Sequence, residues 1–471
     1  MDWKYKLKRA FFNRYAMTAV LFLAIMLWGS VTVLLGVLDQ KTACEGYDLP
    51  KPLVKADPAI PGRSLASDIP PADLTAERAT VTAWPDQLSA KTAKAELAVT
   101  KALEKEHSLI QVFGAFEGIV ERTVVEDAAE PLYSVVKLPG GSLTFVGQGE
   151  PEAQAQTAEL KRLQMALDER DISLLYLQAP SKLEPGEDVL PYGLEDPSNA
   201  CADRLLAALE EAEIDHLDLR QTLKEAGGDW DDWFYQTDHH WNQEAAFVAF
   251  QALAERLEGY QRTVEVGRGT KRQSIQIDPR YTDPDSYDKE TLSAFFLGSQ
   301  GKRVGTLYGG ADDFVLWTPN FPTLLHYAGV TGGDRYGDAT ETLLFPQRVE
   351  EKDFFDGNPY TYYSGGDYPF AKITNYYNPD GPRVMLIRDS FACAITPYLA
   401  LSCSELTTVD PRYFPGDLLA QIDRVKPDVV VLLYSSGFVR EEEPYRLLAQ
   451  PAGPSKADVL RWKDDWYESE K

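Results

Sequence analysis

Only five histidines occur in the 471 residues, and two of them stand side by side in Thr237-Asp238-His239-His240-Trp241-Asn242. An Asp two positions before a His, in an extended loop, puts carboxylate and imidazole on one side of the chain. There the carboxylate can fix the imidazole tautomer and stabilise its protonated form. An imidazole held in this way can activate a hydroxyl, and a serine stands far downstream in Arg388-Asp389-Ser390-Phe391. A free serine hydroxyl is a poor nucleophile and needs a base, for which His240 is the best-placed candidate. The chemistry implied is acyl transfer, with Ser390 as nucleophile, His240 as general base and Asp238 as the group that orients it. Each motif also has a plainer use. Ser390 could merely cap a helix, and Asp238 and His240 could be a buried structural pair.

The elements around these motifs suit the chemical use. Residues 243–258 read as a helix with Ala246, Phe250, Leu253 and Leu257 in its apolar stripe, Asn242 as N-cap and Gly259 as C-cap. The histidines therefore precede a helix N-terminus, where backbone N–H groups and the dipole point outward. Ser390 follows the apolar run 383–387 and opens a helical stretch, 391–400, broken at Pro397. In open α/β sheets that end of a strand is where sites form, and the Ser390 N–H could bind an oxyanion. Further strands are expected at 172–177, 214–219, 405–409 and 428–434, and helices at 152–170, 198–213, 220–226 and 415–425. Such alternation argues for a doubly wound parallel sheet covered by helices, an α/β fold. A β-hairpin over 132–138 and 142–146 precedes it. Residues 261–380, rich in Tyr, Gly, Asp and Pro, lack helical periodicity and read as an inserted cap or set of long loops.

The string DHHW at 238–241, with DSF far downstream at 389–391, resembles the DHHW family of bacterial surface proteins. That family is similar to the SGNH-hydrolase-like acetyltransferases exemplified by the alginate O-acetylation proteins. The resemblance covers roughly 130–440 and implies an SGNH-hydrolase-like fold. Its triad maps onto Asp238, His240 and Ser390, with Trp241 packing at the site. His239 is the less suitable base, because neighbours in an extended loop point opposite ways. Pro180-Ser181-Lys182 resembles the family's Pro-x-Lys stretch. Arg388 stands where the relatives often have Gly. It could block the nucleophile turn or help to bind an anionic donor or glycan. Phe391, Tyr363 and Ser435 complete the candidates for substrate or oxyanion contacts. Asp389, although adjacent to the nucleophile, is not the expected triad acid.

Composition bounds the setting. Hydrophobic residues at 44% and charged residues at 25% describe a globular chain. Residues 1–15 form a basic tail with Lys4, Lys6, Lys8, Arg9 and Arg14 against Asp2, and no residue from 16 to 38 is charged. That run can cross roughly 30 Å of hydrocarbon as a helix. The basic flank then leaves the N-terminus in the cytoplasm and the acidic remainder outside. A cleaved signal peptide is the alternative. Residues 39–90 contain Pro50, Pro52, Pro58, Pro61, Pro70, Pro71 and Pro85, the pattern of an extended stalk. A short helix over 91–106 opens an extracellular domain at 91–471. A net charge of −26 disfavours nucleic-acid binding. Cys393 and Cys403 could bridge, or could be two buried thiols.

These readings converge on an extracellular O-acyl, chiefly O-acetyl, transferase acting on a cell-surface or secreted polysaccharide. No cofactor is implied. By family analogy, a membrane-bound O-acyltransferase partner supplies the acyl group. Three alternatives stay open: a glycan acyl-esterase of the same fold, a non-catalytic envelope scaffold or glycan-binding protein, and a metal-dependent hydrolase using Asp238, His240 and His326.

Overall fold

Hexapeptides such as VVVLLY at Val429–Tyr434 and RVMLIR at Arg383–Arg388 have no polar face to offer water. They fold as strands buried on both sides. The computed structural model describes residues 107–448 apart from 128–130, 150–152, 267–268, 330–332 and 415. The basic tail, the apolar run, the stalk and the helix expected over 91–106 therefore lie outside the described residues. No helix among the described residues is long and apolar enough to cross a membrane.

Eight strands form the central sheet: β1 (Ser173–Gln178), β2 (His216–Asp218), β3 (Leu325–Gly329), β4 (Asp334–Gly337), β5 (Phe370–Asn375), β6 (Arg383–Arg388), β7 (Glu405–Val409) and β8 (Val429–Tyr434). Their order across the sheet is β4-β3-β5-β7-β6-β8-β1-β2. The five from β7 to β2 run parallel, with Met385 opposite both Thr407 and Val430, and Leu175 opposite Val431. The helices that cover this sheet include α1 (Ala153–Asp168), α2 (Ser198–Glu211), α3 (Leu219–Ala226), α4 (Gln243–Glu258), α5 (Thr396–Ser402) and α6 (Leu418–Val425).

Strand side chains alternate between two cores. Leu175, Leu177, Val384, Leu386, Val431 and Leu433 pack with α3, α4 and α5 on one face. Leu174, Tyr176, Met385, Ile387, Val430 and Leu432 pack with α1, α2 and α6 on the other. Burying each such Leu or Val contributes about 1.5–3 kcal/mol, several times what local propensity supplies. The two cores therefore hold the strand ends in place. Helix α5 follows β6 onto one face and α6 follows β7 onto the other, so the carboxyl end of β6 is a topological switch point, the place where open α/β sheets bind ligands.

Residues 261–380 depart from the expected cap. They contribute β3, β4 and β5, which extend the sheet antiparallel, so it is mixed and not purely parallel. They also form the hairpins Gln261–Val266 with Gly269–Ser274 and Tyr287–Phe296 with Asp312–Pro319. Gly269–Ser274 and Tyr287–Phe296 are mostly exposed and show no apolar period to read. The early hairpin forms as expected, Val135–Lys137 against Leu143–Phe145, with Val124–Val125 as a third strand. Cys393 and Cys403 are separate buried thiols. Every strand among the described residues, and the site, lie within Glu117–Lys471, which belongs to a single compact unit.

Candidate active site

Ser390 begins a 3-10 turn directly after β6, and Asp389 caps that turn through a bond from Phe391 N–H to Asp389 Oδ1, 2.9 Å. The other carboxylate oxygen of Asp389 accepts the Ser435 N–H at 2.7 Å. Asp389 thus ties the end of β6 to the end of β8, a bracing role distinct from that of a triad acid. Among the described residues the Ser390 N–H has no hydrogen-bond acceptor. It stands at the start of the turn beside its own half-buried side chain.

The imidazole reaches Ser390 from a segment 150 residues earlier in the chain. His240 Nε2 lies 2.8 Å from Ser390 Oγ, and His240 Nδ1 lies 2.5 Å from Asp238 Oδ1. Both His240 and Asp238 are buried. Two further bonds run alongside the Ser–His contact in the same order along both segments. Trp241 Nε1 donates to Phe391 O at 2.9 Å, and Gln243 Nε2 donates to Ala394 O at 3.0 Å. The N-terminus of α4, capped by Asn242 as expected, is in this way zipped to the nucleophile turn. Tyr360 stacks on His240 with ring centroids 3.9 Å apart and donates its hydroxyl to Phe391 O at 3.1 Å.

Asp238 is held by everything around it. Its Oδ1 also accepts the His240 N–H at 3.0 Å, and its Oδ2 accepts the Ser299 N–H at 2.7 Å. Burial opposes ionisation of this carboxyl. The imidazoles of His239 and His240, the His240 hydrogen bond and the Ser299 amide outweigh burial, and its pKa lies well below the ordinary carboxylate range. A Cβ at position 298 would come within 2.1 Å of the Asp238 Cβ, so Gly298 is required for this approach. Thr237 N–H and Oγ1–H donate to the buried Asp312, whose pKa burial raises against those same hydrogen bonds.

Asp238 and His240 share one side of the chain, as expected, but His239 does not point away. Its ring centroid is 3.8 Å from that of His240, and its Nδ1 lies 2.7 Å from Ser299 Oγ. The bond from His240 N–H to Asp238 Oδ1 closes a turn over these residues, so the loop is not extended at His239. Burial, then the neighbouring His240, lowers the His239 pKa to about 3 and keeps that ring neutral.

Four of the candidate contact residues make structural contacts in the fold. Arg388 is wholly buried beneath the turn and does not reach toward substrate. It donates to Gly366 O at 2.6 Å and to Asp389 O at 3.2 Å, lies 3.6 Å from Asp367 and covers the Tyr368 ring. It neither blocks the turn nor offers a free charge to an anion. Tyr363 spends its hydroxyl on Val315 O and Trp317 N–H, and Ser435 spends its amide on Asp389, so neither is an oxyanion donor through those groups. Phe391 spends its amide on Asp389 and packs its ring against His240 and Trp241.

Asp238, His239 and His240 present ligand atoms within 4.8 Å of one another, a donor set that a divalent metal can use. His240, however, already spends Nδ1 on Asp238 and Nε2 on Ser390, so metal binding through it has to break one of those bonds. His326 is engaged with Asp334 across the β3–β4 pair and adds nothing to the set. Sequence reasoning missed Gly298, Ser299, Asp312 and Tyr360, all from the segment read as a cap. It registered Lys182 only as part of a short motif.

Residues 142–282 match the family model for the SGNH hydrolase-like domain of acetyltransferase AlgX. The match includes Asp238 and His240 and ends before Ser390. No curated protein sequence gives a significant match. Among solved structures, PatB1 from Bacillus cereus is similar at 18% identity and TM-score 0.51, over 66% of this chain and 98% of that one. PatB1 with a sulfonyl adduct gives 17% identity and TM-score 0.50, over 68% and 98%. A DHHW family protein from Eubacterium siraeum DSM 15702 gives 16% identity and TM-score 0.50, over 67% and 94%. The fold is therefore the SGNH hydrolase-like α/β fold, and the resemblance to the DHHW and alginate O-acetylation proteins holds at that level.

Proposed function

We propose that this protein is an O-acyltransferase that moves acetyl groups onto a polysaccharide through an acyl-enzyme on Ser390. The observation that carries the reading is the chain from Asp238 Oδ1 through His240 to Ser390 Oγ, closed by contacts of 2.5 and 2.8 Å. Ser390 Oγ attacks the donor's acyl carbonyl and gives its proton to His240 Nε2. The tetrahedral oxyanion finds the unengaged Ser390 N–H at the start of the turn. Collapse expels the donor's leaving oxygen, which takes the proton from the imidazolium. A sugar hydroxyl then gives its proton to Nε2 and attacks the acyl-serine, forming the new ester and restoring Ser390.

Water in place of the sugar hydroxyl makes the same site a glycan esterase. The match to an acetyltransferase domain model over 142–282 favours transfer. The setting that accompanies this reading is an ectodomain outside the cell, tethered by the uncharged run 16–38. Its acyl groups would come from a membrane-bound O-acyltransferase partner.

The test is incubation of the protein with an activated acetyl ester, followed by mass spectrometry of the peptide that contains Ser390. An acetyl group on Ser390 that passes to added oligosaccharide supports the proposal. Absence of any adduct, in the wild type and under rapid quench, refutes it. PatB1 has been solved with a sulfonyl adduct, so a sulfonyl fluoride is a second probe. It should label Ser390 in the wild type and leave Ser390→Ala unlabelled.

A further inference from the structure

Lys182 is buried, and among the described residues no carboxylate lies within ion-pair distance of its ammonium. Its three N–H donors instead meet three backbone carbonyls: Leu143 O at 2.5 Å, Gln236 O at 2.9 Å and Asp238 O at 2.9 Å. An ammonium has three donors, so each is used, and two of the acceptors belong to the loop that carries the candidate base. Gln236 O also accepts the Leu143 N–H at 2.8 Å, which joins that loop to the strand Leu143–Phe145. The backbone at Lys182 is anchored in turn, because Trp230 Nε1 donates to Ser181 O and Lys182 O.

We infer that Lys182 is a positioning residue of the acyl-transfer site, clamping the backbone of residues 236–238 so that Asp238 meets His240 in hydrogen-bonding register. The inference rests on the proposed acyl-transfer reading for its kinetic consequences, but the clamp itself is a matter of geometry. Three features make it more than a buried cation that happens to be satisfied. It contacts the backbone of Asp238 itself. It adds two short bonds to a junction that otherwise has the Leu143 N–H to Gln236 O bond and one long side-chain contact, Gln236 Nε2 to Gly141 O at 3.4 Å. It also leaves the Asp238 carboxylate free for His240 and Ser299, which a salt bridge would have diverted.

The groups facing Lys182 are Asp312, Asp238 and Asp231, with His239 nearby. Burial lowers its pKa to about 8, against the pull of those three carboxylates. A neutral amine keeps two N–H donors, so one of the three carbonyls then faces a lone pair. Loss of the proton should therefore loosen the clamp in a way that pH can report.

The test compares wild type, Lys182→Met and Lys182→Arg, all as full chains, by ester-cleavage kinetics and by the downfield proton resonance of the His240–Asp238 bond. The expected result for Lys182→Met is a kcat roughly a hundredfold lower with KM unchanged, and a shifted or lost resonance. Wild-type kcat should fall above about pH 8, and Lys182→Arg, whose guanidinium stays charged, should lack that fall. A folded Lys182→Met with wild-type kcat and an unchanged resonance overturns the inference. Should Lys182→Met fail to fold, Lys182→Gln takes its place, and a folded Lys182→Gln with wild-type kcat and an unchanged resonance overturns the inference instead. A wild type inert toward the ester, whose resonance still vanishes in Lys182→Met, removes the acyl-transfer reading and leaves the clamp standing.

Discussion

Changing Asp238 to Asn tests the site with the least disturbance of shape. The carboxylate accepts three N–H groups: His240 N–H and Nδ1–H at Oδ1, and Ser299 N–H at Oδ2. An amide can accept at only one of its two ends. With its oxygen toward His240, the Asn NH₂ confronts the Ser299 N–H. With its NH₂ toward His240, two donors confront donors, and the imidazole is driven to the tautomer whose Nε2 carries hydrogen. In that tautomer Nε2 cannot take the proton of Ser390. Either way a buried donor is left without an acceptor, at a cost of about 1–3 kcal/mol in stability. In the second orientation the rate falls by roughly 10⁴, as in serine enzymes with the wrong tautomer, equivalent to about 5 kcal/mol of barrier. The assay is pre-steady-state acylation by an activated acetyl ester, with chemical denaturation alongside. The Asp238 pKa is depressed in the folded protein, so its stabilising contribution is present above the ordinary carboxylate range and is lost as pH falls through the depressed value. The stability gap between wild type and Asp238→Asn should therefore narrow as the pH falls below the ordinary carboxylate value of 3.8. Acylation within tenfold of wild type would refute the tautomer argument, and a gap independent of pH would refute the electrostatic one.

Ser390→Ala and His240→Ala should each reduce acylation by at least about 10³-fold, measured by the same burst, with circular dichroism unchanged. His239→Ala should cost less than about tenfold, because its ring contacts His240 and Ser299 while the proposed proton path runs through His240 alone. Gly298→Ala puts a Cβ 2.1 Å from the Asp238 Cβ. Relief requires a shift of about 1 Å in Asp238, and kcat should fall roughly a hundredfold while the far-UV spectrum stays native. Arg388→Met leaves Asp367 with Arg412 as its one remaining basic partner and strips donors from Gly366 O and Asp389 O. Stability should drop by about 3 kcal/mol or more in urea titrations.

Much of the fold was legible because its central strands are buried on both faces, and continuous apolar runs such as 429–434 cannot be mistaken for surface. Helix α4 was read to its last residue, because Asn242 and Gly259 bracket an unbroken apolar stripe. The antiparallel half of the sheet was not legible. Strands β3 and β5 alternate, with Leu325 and Tyr327, and Ala371 and Ile373, turned inward, but the alternation spans only five or six residues inside a Tyr-, Gly- and Asp-rich stretch, and β4 is four residues long with one buried. The residues that converge at the candidate site, Asp238, His240 and Ser390, were recognisable from type and rarity. Their supports were not, since Lys182 and Arg388 act on backbone carbonyls, and a carbonyl has no letter in the sequence. Arg388 in particular looked like a binding group because a long cation beside a nucleophile normally faces outward. Here a buried Asp367 and the Gly366 carbonyl draw it underneath.

The convergence of Ser390 and His240 does not depend on their own hydrogen bond, and this is why loss of function can be separated from loss of structure. The bond from His240 to Ser390 is one of three roughly parallel links between segments 150 residues apart. The other two, Trp241 to Phe391 and Gln243 to Ala394, join side chains to backbone carbonyls. Removing the Ser390 hydroxyl takes away one solvent-adjacent contact, worth about 0.5–1.5 kcal/mol. Removing the Trp241 indole takes away a fully buried side chain as well as its bond, a change that costs about 3–5 kcal/mol. Trp241→Ala should therefore lose activity by letting the two segments part, and its loss should track its denaturation midpoint. Ser390→Ala should be inactive with a stability loss of at most about 1.5 kcal/mol. If Trp241→Ala instead proved as stable as wild type yet inactive, Trp241 would be touching the reacting groups, and the zipper would not be what holds the serine to its base.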